Sequence, residues 1–170
     1  GGVGMYVLEP AGFDDAQKCY SIIKEAKQFQ REQGFAQWTD DYPNQDTIQQ
    51  DIQTGKGYVL ISDKQIAGYM CIDFSGEPAY ENIDGKWNTG LPYAVIHRMA
   101  FCEAFRDRGL SSIALSLIES LCRSKSIKNI RMDTGFANKR MQHILKNNGF
   151  SKCGIINFQG SGKLAYDKTL

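Results

Sequence analysis

The order of hydrophobic patterns predicts a single α/β (α+β) domain with a mixed, mostly antiparallel central sheet and helices on both of its faces. Short β-rich runs alternate with amphipathic segments in the order β-α-α-β-β-β-α-β-α-β-β. Antiparallel hairpins come first, and a strand–helix–strand–helix–strand succession follows, which is typical of a three-layer domain. The chain has 170 residues, 42% of them hydrophobic. That is enough to bury one core without a disulfide or a metal ion.

The first half of the chain predicts one strand, two helices and a hairpin. "MYVLEP", closed by Pro10, predicts the first strand. From Asp14 onwards, apolar residues recur every three or four positions and predict an amphipathic helix. "NQDTIQQDI" predicts a second, short helix with its cap near Asn44. The runs "GYVLIS" and "QIAGYMCIDF" flank Asp63-Lys64 and predict a β-hairpin.

The second half begins with a long loop. Residues 75–92 hold three glycines and two prolines without periodicity, and a loop of that length is more often functional than idle. "YAVIHRMAF" predicts a strand, and the apolar spacing from Leu110 predicts a helix with one buried face. "IKNIRMD" predicts a strand and "NKRMQHILKNN" a helix that ends at Gly149. "INFQGSGKLAY" predicts a final hairpin about a Gly-Ser-Gly turn. The domain is expected to span residues 5–170, with "GGVG" at 1–4 as a tag remnant.

The charges and the cysteines exclude several classes of function. Lysine plus arginine (20) nearly balance aspartate plus glutamate (19), which argues against nucleic acid and anionic membranes as partners. The five cysteines are scattered without a C-x-x-C pair, and the chain has only two histidines, so no metal site is expected. Unpaired thiols favour a cytoplasmic protein. No apolar stretch approaches about 18 residues, and no signal peptide is evident, so no membrane association is expected.

Residues 105–112, "FRDRGLSS", precede a helix and combine several features of an anion site. A helix N-terminus carries unpaired N–H groups and a partial positive charge. Glycine lets the backbone approach a ligand closely, and arginine binds phosphate oxygens in pairs. The stretch supplies two arginines, one glycine and two serines at this junction: Arg106, Arg108, Gly109, Ser111 and Ser112. An ordinary capping loop of similar composition is the alternative.

The neighbouring residues favour the anion site. "IHRMAFCEAFRDRGLSSIAL" resembles the central motif of the GNAT acetyltransferases, Arg/Gln-x-x-Gly-x-Gly/Ala at the start of a helix. Ser111 stands where the family usually has glycine or alanine. The resemblance implies that the loop binds the pyrophosphate of acetyl-CoA. It assigns seven consecutive residues to that contact: Arg106, Asp107, Arg108, Gly109, Leu110, Ser111 and Ser112.

A second block of the chain also resembles the family. Asn138 and Met141 match its Asn-x-x-Ala/Met pattern, and Gly149-Phe150 begins eleven residues after the asparagine. The resemblance implies that Asn138 and Met141 contact the pantetheine arm. It implies the same for the backbone of the strand before the phosphate loop, at Met99, Ala100 and Phe101. The two blocks and their flanking elements cover roughly residues 58–167.

The reaction of the family implies a general base. An amine attacks the acetyl thioester, so the amine must first lose a proton. His97 is the main candidate, because histidine titrates near neutral pH. The alternative for His97 is a structural, hydrogen-bonded histidine. Asp73 and Asp133 follow neighbouring predicted strands and are the alternative bases, although carboxylates there can equally cap loops or bind a cationic substrate.

The general acid is the point at which the sequence departs from the family. Many members carry a tyrosine seven residues after the motif asparagine, close to the sulfur of CoA. In this chain that position is Leu145. The departure puts acid catalysis from this helix in doubt, but not the fold.

The acceptor is expected to be a primary amine of a small molecule or an exposed protein amine. Aromatic faces attract cations, and four aromatic residues could wall an amine pocket: Trp38, Tyr42, Tyr80 and Trp87. The alternative is that these rings anchor loops against the core. The sequence predicts an N-acetyltransferase that uses acetyl-CoA, no metal and direct attack in a ternary complex. A catalytically weak acyl-CoA sensor is the alternative, and a homodimer is left open.

Overall fold

The computed structural model describes residues 5–170, so the expected tag remnant at 1–4 lies outside the described residues. The chain divides into two compact units. The first unit contains the residues up to Ile72 together with Arg98–Leu117. The second contains Asp73–His97 and Ile118–Leu170.

The first unit contains an antiparallel β-sheet and two complete helices. Its complete elements are β1 (Tyr6–Pro10), α1 (Ala16–Glu32), α2 (Gln45–Gln53) and β2 (Gly57–Ser62), and it includes β3 (Gln65–Asp73) up to Ile72. Strand β2 pairs antiparallel with β1 and with β3. The unit also includes the second half of β5 (Ala94–Phe101) and the first half of α3 (Leu110–Ser124).

The second unit contains the first half of β5, the second half of α3 and five further elements. These are β4 (Asp84–Gly85), β6 (Asn129–Thr134), α4 (Lys139–Asn147), β7 (Ser151–Phe158) and β8 (Ser161–Thr169). Strands β5 and β6 are parallel, with Ala94 opposite Ile130. The pairs β6–β8, β8–β7 and β7–β4 are antiparallel.

These elements confirm the predicted mixed, mostly antiparallel fold and its element order, with one addition. The addition is the two-residue strand β4, in the segment that the sequence predicts as a loop. A short 3-10 helix, Pro78–Asn82, precedes it. The predicted cap at Asn44 is confirmed, because its side chain accepts a hydrogen bond of 2.9 Å from the amide of Thr47.

The turn of the final hairpin lies earlier than the sequence predicts. Ser161 and Gly162 already belong to β8, where they pair with Phe158 and Asn157. The turn is therefore at Gln159-Gly160, both of which have positive φ, rather than at Gly-Ser-Gly. Glycine has no Cβ atom and adopts a positive φ without steric strain, so Gly160 favours a tight turn at this point.

Each unit has its own hydrophobic cluster. In the first unit, α1 and α2 pack their apolar faces against the sheet residues Val59, Tyr69 and Ala100. In the second unit, Tyr80 and Val95 pack with residues of β7 and β8. All five cysteines have free thiols, and four of them are buried. Among residues 5–170, no helix is both long and apolar enough to cross a lipid bilayer.

Gly68 in β3 allows the second half of β5 to approach closely. A Cβ atom at this position would lie 2.6 Å from Cδ1 of Phe101 and 3.1 Å from the carbonyl oxygen of Ala100. The amide of Cys102, just after β5, donates a hydrogen bond of 2.8 Å to the carbonyl of Ala67. Position 68 therefore requires glycine, because there is no room for a Cβ atom.

We expect Gly68→Ala to destabilise the fold by about 1–3 kcal/mol, because the added methyl group overpacks the contact with Phe101. Thermal and urea unfolding measure this effect. Gly90→Ala is the matched control, because a Cβ at Gly90 meets no atom within 4 Å. Equal stability of the two variants would contradict the steric role of Gly68.

Candidate active site

The loop that leads into α3 has the backbone conformation that an anion site requires. A short 3-10 helix ends at Phe105, and α3 begins at Leu110. Between them, Asp107 (φ 65°) and Gly109 (φ 68°) are both left-handed. Changes of backbone hand turn successive N–H groups towards one side, as in phosphate-binding nests. A Cβ at Gly109 would meet no atom within 4 Å, so the backbone here faces open space.

The two arginines of this loop are oriented by aromatic rings. The guanidinium of Arg106 lies 4.1 Å from the ring centre of Phe29 on α1. The guanidinium of Arg108 lies 5.1 Å from the ring centre of Phe105, and Arg108 is exposed. Such stacking leaves the N–H edges of a guanidinium available to phosphate oxygens. The loop therefore fits a pyrophosphate by its backbone shape, its charge and its position at a helix N-terminus.

Two of the three residues predicted in β5 are buried. Met99 and Ala100 have residue exposures of 8% and 4%, whereas Phe101 is half-buried. The side chains of Met99 and Ala100 therefore offer little surface to a ligand.

The second unit gives His97 a carboxylate partner that the sequence does not reveal. Nε2 of His97 lies 3.3 Å from Oε2 of Glu77, and the imidazole stacks on Phe158 at 5.5 Å between ring centres. The hydrogen bond from His97 holds the pKa of Glu77 below its usual value, so this carboxyl stays ionised. Glu77 also fixes its own segment, because its Oε1 accepts a hydrogen bond from the amide of Ala79.

Asp133 belongs to the same cluster, but its pKa is shifted in the opposite direction to that of Glu77. Its Oδ2 accepts a hydrogen bond of 2.6 Å from the hydroxyl of Tyr80, whose ring centre lies 6.4 Å from that of His97. Burial raises the pKa of Asp133. Burial and the neighbouring Asp133 together raise the pKa of Tyr80 well above its usual value. The structure thus brings His97 and Asp133 into one cluster with Glu77 and Tyr80.

Asp73 has a local structural role at the end of β3. Its Oδ1 accepts hydrogen bonds from the amide of Ser75 at 2.8 Å and from the Ser75 hydroxyl at 2.5 Å. These bonds form an Asx-type turn at the start of the long segment that carries Glu77. The loop-capping alternative for Asp73 therefore has direct geometric support.

The structure of α4 shows why a leucine is suitable at position 145, where many family members have a tyrosine. Asn138 caps the helix, since its Oδ1 accepts a hydrogen bond of 3.1 Å from the amide of Met141. Leu145 is fully buried on the inner face of α4. An apolar side chain suits that environment, because a buried hydroxyl there would need its own hydrogen-bond partner.

The four predicted acceptor residues fall into two pairs. Trp38 packs against the hydrophobic cluster of the first unit, and the hydroxyl of Tyr42 accepts a hydrogen bond of 2.8 Å from Nη1 of Arg98. In the second unit, Trp87 donates from Nε1 to the carbonyl of Tyr80 at 2.9 Å, with their ring centres 5.0 Å apart. Tyr80 is almost fully buried, so it anchors its segment in the core.

Sequence reasoning missed Glu77, and it also missed Asp51 and Arg98 of the first unit. Neither Glu77 nor Asp51 belongs to a recognisable motif, and each meets its partner only in the folded chain. Glu77 precedes Pro78 in the long loop, which is the one local signal of a fixed conformation. Among the described residues, no group of three or more His, Cys, Asp or Glu side chains could hold a metal ion.

The comparisons with known proteins agree with this geometry. Residues 17–150 match the model of the acetyltransferase (GNAT) family. A GNAT-family acetyltransferase from Streptococcus agalactiae is 31% identical, with a TM-score of 0.87 over 97% of this chain and 95% of that one. No curated protein sequence matches the chain closely enough to count as a relative.

More distant structures share the fold. A GNAT-family acetyltransferase from Listeria monocytogenes is 22% identical, with a TM-score of 0.74 over 97% of this chain and 95% of that one. The aminoglycoside acetyltransferase AAC(6')-Ib, solved with coenzyme A and kanamycin, is 15% identical, with a TM-score of 0.70 over 97% and 95% of the two chains.

The family model and the Streptococcus agalactiae structure together confirm the family that the motifs around Arg106 and Asn138 predict. The model covers well over half of the chain, and it includes the loop before α3 and the whole of α4. The chain therefore belongs to the GNAT family and is an N-acetyltransferase.

Proposed function

We propose that this protein transfers the acetyl group of acetyl-CoA to a primary amine of a small molecule or of an exposed protein segment. The observation that carries the proposal is the loop before α3, where Asp107 and Gly109 are left-handed and two arginines flank the glycine. Acetyl-CoA would supply an activated thioester and a thiolate leaving group. Its pyrophosphate would be held by the loop amides from Arg106 to Ser112 and by the guanidinium of Arg108.

His97 would act as the general base that removes a proton from the amine. A base must be oriented, and Glu77 supplies the orienting carboxylate at 3.3 Å from Nε2. The peptide groups of Met99 and Ala100 would position the pantetheine arm and the thioester. Leu145 occupies the position at which the family usually has a tyrosine, so departure of the thiolate would rely on protonation by water.

The acceptor remains the open part of this proposal. The kanamycin bound to AAC(6')-Ib makes aminoglycoside amines one class to test, alongside polyamines and lysine-containing peptides. Trp38 and Tyr42 are the predicted acceptor residues of the first unit, and Tyr80 and Trp87 are those of the second. A cytoplasmic location and a homodimer stay predictions; the buried thiols support the former.

Release of free CoA in the presence of each amine, followed with a thiol-reactive chromophore, tests the function directly. We expect amine-dependent release with at least one class of amine. Binding of CoA without release for any amine would contradict enzymatic activity and favour the acyl-CoA sensor.

We expect Arg108→Glu to weaken CoA binding by about ten- to hundredfold, because it replaces a charge-assisted hydrogen bond to phosphate with repulsion. Isothermal titration calorimetry measures the change. Lys128→Glu is the matched control, because it makes the same charge change at an exposed lysine of the second unit. An unchanged dissociation constant for Arg108→Glu would refute the phosphate assignment.

We expect His97→Ala to lower kcat by about 10²–10⁴-fold and to remove an ionisation near neutral pH from the rate profile. His143→Ala, at the exposed second histidine, is the control and should leave the profile unchanged. An intact profile in His97→Ala would transfer the role of base to Asp133 or Asp73.

Glu77→Gln should lower kcat by about tenfold, because a neutral amide orients the imidazole of His97 less firmly than the carboxylate that lies 3.3 Å from its Nε2. Steady-state kinetics measures this change, and the dissociation constant of CoA should stay within about threefold of the wild-type value. Glu81→Gln, at an exposed glutamate of the same segment, is the matched control. A wild-type kcat in Glu77→Gln would contradict the orienting role of Glu77.

A further inference from the structure

A buried polar cluster links α2 to the second half of β5 in the first unit. Arg98 donates to both carboxylate oxygens of Asp51, from Nε at 2.9 Å and from Nη2 at 2.6 Å. The hydroxyl of Tyr69 donates to Oδ2 of Asp51 at 2.5 Å. Nη1 of Arg98 donates to the hydroxyl of Tyr42 at 2.8 Å. We call these four residues the Asp51–Arg98 cluster.

The ion pair at the centre of the cluster is largely shielded from solvent. The side chains of Arg98 and Asp51 are only 12% and 8% exposed. Burial is the largest single influence and lowers the pKa of Arg98, but the hydrogen bonds that it donates to Asp51 and the neighbouring groups of Cys71, Asp51 and Tyr42 together raise that pKa above its usual value. Loss of one partner would leave the other charge buried without compensation, which is strongly unfavourable. The network therefore connects α2 firmly to the second half of β5.

The backbone of Arg98 is the unusual feature that this network stabilises. Its φ is 55°, in the left-handed region, although it lies inside strand β5. A long side chain rarely adopts that conformation, and it persists only where the surroundings enforce it. Glycine is the usual residue for such a φ, so the arginine is there for its side chain. The bidentate ion pair with Asp51 is the interaction that can enforce the conformation.

We propose that the Asp51–Arg98 cluster positions the peptide groups of Met99 and Ala100 for acetyl transfer. A left-handed residue redirects the strand that follows it, so the orientation of the next two peptide planes depends on Arg98. The proposed function assigns the contact with the pantetheine arm to these peptide groups, since the side chains of Met99 and Ala100 are buried. The inference rests on the proposed function, since it assigns Asp51 and Arg98 as positioning residues for that reaction.

The cluster also connects a predicted acceptor residue of the first unit to the second half of β5. Tyr42, a predicted acceptor residue, receives its hydrogen bond from the guanidinium that holds β5. The segment around Tyr42 is fixed from the other side by Lys27, whose buried Nζ donates to the carbonyl of Pro43. An acceptor that displaces Tyr42 would therefore act on the conformation of Arg98.

Steady-state kinetics and calorimetry on the full chain test the proposal. We expect Asp51→Asn, which keeps the shape but removes the charge, to lower kcat by about ten- to hundredfold. The dissociation constant of CoA should change by less than about threefold, because the phosphate loop is untouched. Asp46→Asn is the matched control, an exposed aspartate in the first turn of the same helix. A wild-type kcat in folded Asp51→Asn would overturn the proposal.

Hydrogen exchange separates positioning from a general loss of stability. In Asp51→Asn, the peptide that covers residues 98–101 should exchange at least about tenfold faster, while β6 should be unchanged. Faster hydrogen exchange throughout the chain would show that the cluster only stabilises the fold, and it would contradict the positioning role. This readout needs no turnover. If the wild type transfers no acetyl group, the proposed function fails, whereas hydrogen exchange still decides whether the cluster orders residues 98–101.

Arg98→Lys provides a second variant in case Asp51→Asn does not fold. Lysine keeps the positive charge but cannot reproduce the planar two-bond contact with the carboxylate. We expect this variant to fold, to bind CoA and to lose at least about tenfold in kcat. Full activity of Arg98→Lys would show that charge alone suffices and would also overturn the proposal.

Discussion

The buried ion pair between Asp51 and Arg98 is the interaction on which the first unit depends. It combines a left-handed residue in a strand, a short helix and two tyrosine hydroxyls in one network. A buried pair of this kind contributes little net stability compared with an apolar core, so its value lies in the single arrangement that it permits. After Arg98, β5 passes close to Gly68 and leads towards the loop before α3.

The parts of the fold that the sequence predicts well are those with a local cause. Helices α3 and α4 follow from apolar spacing, and the Asn44 cap follows from side-chain chemistry that acts over three residues. The motif before α3 is recognisable for the same reason, because Arg108, Gly109 and the start of α3 are adjacent in the chain. Strand β4 was missed because two residues carry no periodicity and form a strand only by pairing with β7.

The electrostatic partners could not be predicted, because each joins distant parts of the chain. Asp51 and Arg98 are separated by 47 positions, and Tyr80 and Asp133 by 53. Asp51 lies in a helix whose sequence, QDTIQQDIQ, contains a second aspartate that is exposed. Nothing local distinguishes the two. Similarly, only the fold shows that Tyr80 is buried while Trp87 stacks beside it at 5.0 Å.

The two carboxyl groups near His97 differ in a way that separates their roles. Hydrogen bonding to His97 lowers the pKa of Glu77, whereas burial raises that of Asp133. When two neighbouring carboxyl groups have pKa values shifted in opposite directions, they favour different protonation states at the same pH. Glu77 is therefore the stable anion beside the imidazole. Asp133, whose partner is the Tyr80 hydroxyl, is the carboxyl that more readily takes up a proton, so Glu77 is the better orienting group for a histidine base.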